Sequence, residues 1–142
     1  MNLIRLIRTV TSPDSPYYSP ITRIILITPP PVNTSQWEID RQSQNPPKVL
    51  DRSFETTRKY AEAVVDVGKR ENLPIVDVWN LLYDAAGKKE SALEKFLVDG
   101  LHLNTAGYEV GLIVSALKIV SHDICVLSFA DCVRSSHRYH KQ

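Results

Sequence analysis

Apolar residues follow three rhythms along this chain: a helical stripe, continuous runs, and stretches with neither. Leu3, Leu6, Ile7 and Val10 recur at i, i+3, i+4 and i+7, which is one face of a helix. Residues 11–20 break it, with Pro13, Pro16 and Pro20 in a polar loop. Ile24-Ile25-Leu26-Ile27 is an unbroken apolar run stopped by Pro29-Pro30-Pro31. Such a run predicts a strand buried on both faces, the habit of parallel sheets. Residues 32–52 are polar, with Trp37 inside and Pro46-Pro47 near the end, and are expected to form a long loop.

Ser53 offers an N-cap to a helix predicted to run to about residue 72, with Tyr60, Val64 and Val67 on one face. Residues 73–79, containing Pro74-Ile75-Val76-Asp77-Val78, predict a second strand. Leu81 and Leu82 lead a short helix that stops near Gly87, and a weaker helical segment covers 90–96. A loop follows over 98–103. Asn104 then caps a last helix, in which Val110, Ile113, Val114, Leu117 and Val120 repeat at helical spacing.

Helices alternating with strands imply an α/β architecture with parallel strands joined by crossover helices. Only two strands can be counted, too few to bury their own faces. Nothing upstream of the first helix gives it a sheet to cover. The expected fold is therefore the later part of a doubly wound parallel sheet, lacking its N-terminal strands. The domain is expected to span 1–120, with 121–142 a divergent, disordered tail.

Composition narrows the function classes. The 142 residues are 43% hydrophobic and 23% charged, with net charge +1. That balance speaks against an extended nucleic-acid surface. No apolar stretch of about 18 residues predicts a membrane span. The first residues lack the uninterrupted apolar core of a signal peptide. Cys125 and Cys132 could form a disulfide, but no dense framework exists, and they read as ordinary thiols in a cytoplasmic protein. His122, His137 and His140 show no metal-ligand rhythm.

The informative chemistry is Asp99-Gly100-Leu101-His102. On a loop just before a helix, an Asp and a His three apart can meet. The carboxylate accepts from Nδ1–H, which fixes the tautomer and leaves Nε2 free to take a proton. Gly100 permits a backbone angle that bulkier residues resist. A surface Asp and a satisfied His are the alternative, because D-x-x-H is short enough to recur by chance. Trp37 reads as a loop anchor rather than a pocket wall. Asp77 reads as a helix cap rather than a catalytic acid. Tyr17 and Tyr18 read as loop packing.

Four segments together resemble the SGNH, or GDSL, hydrolases, and most closely their isoamyl-acetate-hydrolysing esterase branch. They are Ile25-Leu26-Ile27-Thr28-Pro29-Pro30, Thr57-Arg58-Lys59-Tyr60-Ala61-Glu62-Ala63, Pro74-Ile75-Val76-Asp77-Val78-Trp79, and Phe96 through Asn104 with its D-G-L-H-L core. The resemblance covers roughly 2–120 and fades beyond. It implies a three-layer, flavodoxin-like α/β fold and hydrolysis of small carboxylic esters without metal or cofactor. It implies that Asp99 orients and His102 acts as general base, then general acid. The family's other motifs are a G-D-S nucleophile segment, an oxyanion glycine and a G-x-N-D asparagine. This sequence contains no Gly-Asp-Ser, and none of its five glycines precedes an Asn-Asp pair. The expectation is a truncated family member that keeps the Asp–His part of the triad. The alternative is a non-catalytic binding module, or an incomplete product without activity of its own. The expected partners are a small ester in intact relatives and, through an exposed sheet edge, the chain itself.

Overall fold

The computed structural model describes residues 2–111. The helices are α1 (Asn2–Thr11), α2 (Thr34–Ser43), α3 (Phe54–Arg70) and α4 (Val78–Ala85), with a 3-10 turn at Glu90–Lys95. The strands are β1 (Leu26–Ile27) and β2 (Ile75–Val76). Residues 105–111 are helical (α5). The expected apolar face at Ile113, Val114, Leu117 and Val120, both cysteines, and His122, His137 and His140 lie outside the described residues.

The two strands pair in parallel, with Leu26 opposite Ile75 and Ile27 opposite Val76. The Leu26 N–H donates to Pro74 C=O at 2.9 Å and the Thr28 N–H to Val76 C=O at 3.0 Å. α2 and α3 make the crossover between them. Successive side chains on a strand point to opposite faces, and here each face has its own core. Leu26 packs with Ile7 of α1 and Val67 of α3. Val76 packs with Leu82 of α4, Leu93 and Leu97. Helices thus lie on both sides of a parallel pair, which makes this a partial α/β domain.

Local chemistry explains the element ends. Ser53 Oγ accepts from the Thr56 N–H at the start of α3, where Glu55 faces the positive end of the helix dipole. At its other end, Asn72 takes a left-handed φ of 52° and the Leu73 N–H returns to Gly68 C=O at 2.8 Å. Gly68 is where α3 meets β2: a Cβ there would stand 2.4 Å from Ile75 Cγ1. Asp77 caps α4, its carboxylate accepting from the Asn80 N–H. Thr28, 2% exposed, joins strand to helix. Its hydroxyl donates to Asp77 Oδ1 at 3.2 Å and accepts from the buried Trp79 N–H at 3.0 Å.

The structure corrects several expectations. Residues 34–43 are a helix, not loop. α2 is polar nearly all round, so it lacked an apolar stripe, and it forms because Asn33 caps it and Trp37 buries against the domain. The second strand is shorter than 73–79, because Asp77 ends it and turns Val78 and Trp79 into the first turn of α4. The first strand is likewise two residues, ended by Thr28 and the prolines, and it is not buried on both faces, because Leu26 is buried while Ile27 is 62% exposed. On α1, Leu6 is 64% exposed, and Ile4 takes its place in the packed stripe. Tyr17 and Tyr18 are exposed rather than packed, and on α3 Tyr60 is exposed while Thr57 and Ala61 are buried beside Val67.

Candidate functional site

The loop after Leu97 is closed by an antiparallel bridge between Leu97 and Leu103, and the Val98 N–H donates to His102 C=O at 2.8 Å. Inside this closure both oxygens of Asp99 are engaged. Oδ1 accepts from the Leu101 N–H at 2.9 Å and the His102 N–H at 2.8 Å. Oδ2 lies 2.6 Å from His102 Nδ1. The backbone bonds fix the carboxylate, and the carboxylate fixes the ring. Gly100, at φ 94°, makes the reversal possible. Asn104 then starts α5, its Oδ1 accepting from the Gly107 N–H at 3.0 Å.

The electrostatics favour an ionised Asp99. Burial pushes its carboxyl up, but hydrogen bonds from the His102 N–H, the His102 ring and the Leu101 N–H, with the field of the imidazole, outweigh burial. Together they hold it below the ordinary value of 3.8. With Nδ1–H directed at a carboxylate, Nε2 carries the lone pair of the neutral ring. Among the described residues Nε2 makes no hydrogen bond, and the side chain is 71% exposed. The arrangement can therefore take a proton from a donor arriving from outside.

The loop rests on the first turn of α2. The Asn33 N–H donates to Gly100 C=O at 2.9 Å, and Gln36 Nε2 donates to Val98 C=O at 3.1 Å. Asn33 itself caps α2 through its side chain. Trp37, 7% exposed, donates its Nε1–H to Asp51 Oδ1 at 3.0 Å and so anchors 34–43 against 51–54. Asn33 and Gln36 were missed in the sequence. Their signal was the N-x-x-Q spacing of a capping box. Asp77, far from this loop in its bonding, serves α4 and Thr28. Leu101 also borders a groove of about 660 Å³ walled by Leu3, Pro29, Pro30, Tyr60 and Val64. Among the described residues no group of three His, Cys, Asp or Glu side chains could hold a metal. No described helix is long and apolar enough to cross a membrane.

Comparison with known proteins gives the chain a family. The family model for GDSL-like lipase/acylhydrolase matches residues 1–110. The rice (Oryza sativa subsp. japonica) GDSL esterase/lipase WDL1 is 31% identical over 107 residues, covering 74% of this chain and 39% of that protein. The human isoamyl acetate-hydrolyzing esterase 1 homolog is 31% identical over 108 residues, covering 76% of this chain and 39% of that protein. The chain thus matches well under half the length of these relatives. A solved structure, the esterase domain of the zebrafish ZfL2-1 retrotransposon ORF1 protein, aligns with TM-score 0.48 and 24% identity over 82% of this chain and 52% of its own. With a family match running from the first residue through the Asp99–His102 loop, this chain belongs to the GDSL-like lipase/acylhydrolase family.

Proposed function

We propose that this chain supplies the acid and base of a serine ester hydrolase acting on small carboxylic esters, with the nucleophile carried on a polypeptide segment outside these residues. The observation that supports it best is the 2.6 Å contact between Asp99 Oδ2 and His102 Nδ1, on a loop inside the family match. In this reading Nε2 takes the proton of the attacking serine hydroxyl and returns it to the leaving alkoxide. Asp99 holds the ring and stabilises the imidazolium. Water then repeats the exchange on the acyl-enzyme. Absence of a triad's nucleophile costs on the order of a millionfold in turnover, so the pair alone gives no family-level activity.

A second reading is a binding module without chemistry, favoured by the lack of any G-D-S or G-x-N-D in the sequence. The two are separated by joining a G-D-S-bearing segment of a family member ahead of this chain. Turnover of p-nitrophenyl acetate and labelling by a serine-directed phosphonate are then measured with and without that segment. Labelling and turnover only in the joined protein, lost in His102→Ala, is the expected result. Stoichiometric labelling of the chain alone, or joined activity indifferent to His102, would overturn the proposal.

The same reading gives β1 a partner. In a parallel ladder, alternate residues turn their N–H and C=O to opposite sides. Leu26 and Thr28 serve β2, so Ile27 directs its groups to the other side. Among the described residues no strand lies there, and Ile27 is 62% exposed. A strand from another polypeptide, or a second copy of this chain, fits that edge.

A further inference from the structure

His102 is held through its backbone, its N–H donating to Asp99 Oδ1 and its C=O accepting from the Val98 N–H, and through Nδ1, which meets Asp99 Oδ2. The outer edge of the ring, with Nε2, makes no hydrogen bond among the described residues, and the side chain is 71% exposed. Small rotations of the side chain that keep the Nδ1 contact still change the aim of Nε2, and a packing contact narrows them. Among the described residues the indole of Trp37 lies beside the ring, with centroids 6.3 Å apart and planes at 75°. That is an edge-to-face approach, the geometry that aromatic pairs prefer.

The indole is itself held from several sides. Its Nε1–H bonds Asp51, and the guanidinium carbon of Arg41 lies 5.4 Å from its centroid. Arg41 Nε also reaches within 3.8 Å of Asp51 Oδ1. The hydrogen bond from Trp37 is the largest influence on Asp51, and it helps hold that carboxyl below its ordinary value. The Trp37 backbone N–H donates to Asn33 C=O at 2.9 Å, one residue's contact away from Gly100. An anchor serving only to pin a loop needs none of the proximity to His102.

We propose that Trp37 is a positioning residue for His102: an indole wall, fixed by Asp51 and Arg41, that sets the plane of the imidazole and hence the aim of Nε2. The proposal rests on the reading of His102 as general base. It deepens that reading, because it assigns part of the alignment of the base to a side chain some sixty residues upstream.

Two magnetic-resonance readouts on the full chain test it. In the unaltered protein the carbon-bound ring protons of His102, assigned by their loss in His102→Ala, should carry a ring-current displacement. Their lying at the shifts of an unstructured histidine would overturn the proposal. The second readout is solvent exchange of the Nδ1 proton in Trp37→Phe against Trp37→Leu. Both variants lose the bond to Asp51 and both keep apolar bulk, but only Phe keeps a ring. Exchange in Trp37→Leu should be about two- to tenfold faster than in Trp37→Phe, the range an edge-to-face pair supports. Equal rates, or loss of the signal in both variants alike, would make Trp37 a mere anchor and overturn the proposal. Neither readout needs an ester. Failure here therefore leaves the hydrolysis test standing, and a failed hydrolysis test leaves the ring geometry to be judged by itself.

Discussion

A Cβ at Gly100 would stand 2.4 Å from the backbone nitrogen of Trp37, so the candidate catalytic loop and α2 meet backbone against backbone. The same atom would lie 2.7 Å from Asn33 C=O. Neither neighbour is a side-chain tip that can step aside. At φ 94° any L side chain is also strained. Gly100→Ala should therefore cost on the order of 2 kcal/mol or more. The urea midpoint should fall, and the Nδ1 proton signal of His102 should weaken with it. An unchanged midpoint would mean that the loop lifts off α2 without penalty.

The pH dependence of the loop follows from Asp99. Its carboxyl titrates below 3.8 in the folded chain, so the contribution it makes is fully present above that value. The contribution is lost as pH falls through the lowered one. The amide protons of Leu101 and His102 report the change directly, because both donate to Oδ1. Their shifts should titrate together with a midpoint under 3.8. A midpoint above it would show that burial outweighs the hydrogen bonds.

Thr28→Val tests the junction of sheet and helix. The valine keeps the shape but removes the hydroxyl that accepts from the buried Trp79 N–H. An orphaned buried donor costs about 1–3 kcal/mol. Thr28→Ser should retain most of the stability that Thr28→Val loses, as read from thermal melts of the three proteins. Equal melting of Val and Ser variants would refute the account.

The free side of β1 should govern association. Size-exclusion chromatography of the chain should show species larger than a monomer, and Ile27→Lys should shift them toward the monomer, because an edge lysine opposes strand addition. A monomeric wild-type peak with a sharp cooperative melt would remove the case for an open edge.

The parts of this fold that could be read in advance are those that bury an apolar stripe. α1 and α3 announce themselves by spacing, and Ser53 and Asp77 by their capping chemistry. Asp99 and His102 were legible through the D-G-L-H-L segment and its resemblance to the family, since their three-residue spacing alone recurs by chance. α2 was not, because its stability comes from one buried tryptophan and a cap rather than a periodic face. The strands were overestimated because an apolar run does not reveal where a cap such as Asp77 will bend the chain. The contact of Trp37 with His102 joins residues 65 positions apart, a pairing that no local pattern encodes.

The hydroxyl of Thr28 ties the end of β1 to the entry into α4, through Asp77 and the Trp79 backbone N–H. The prolines that follow Thr28 lead to α2, whose first turn carries the Asp99–His102 loop. The strand end from which the chain departs toward that loop is thus moored to a helix on the far side of the sequence, and Thr28→Val would act on the mooring while leaving every bond of the Asp99–His102 pair in place.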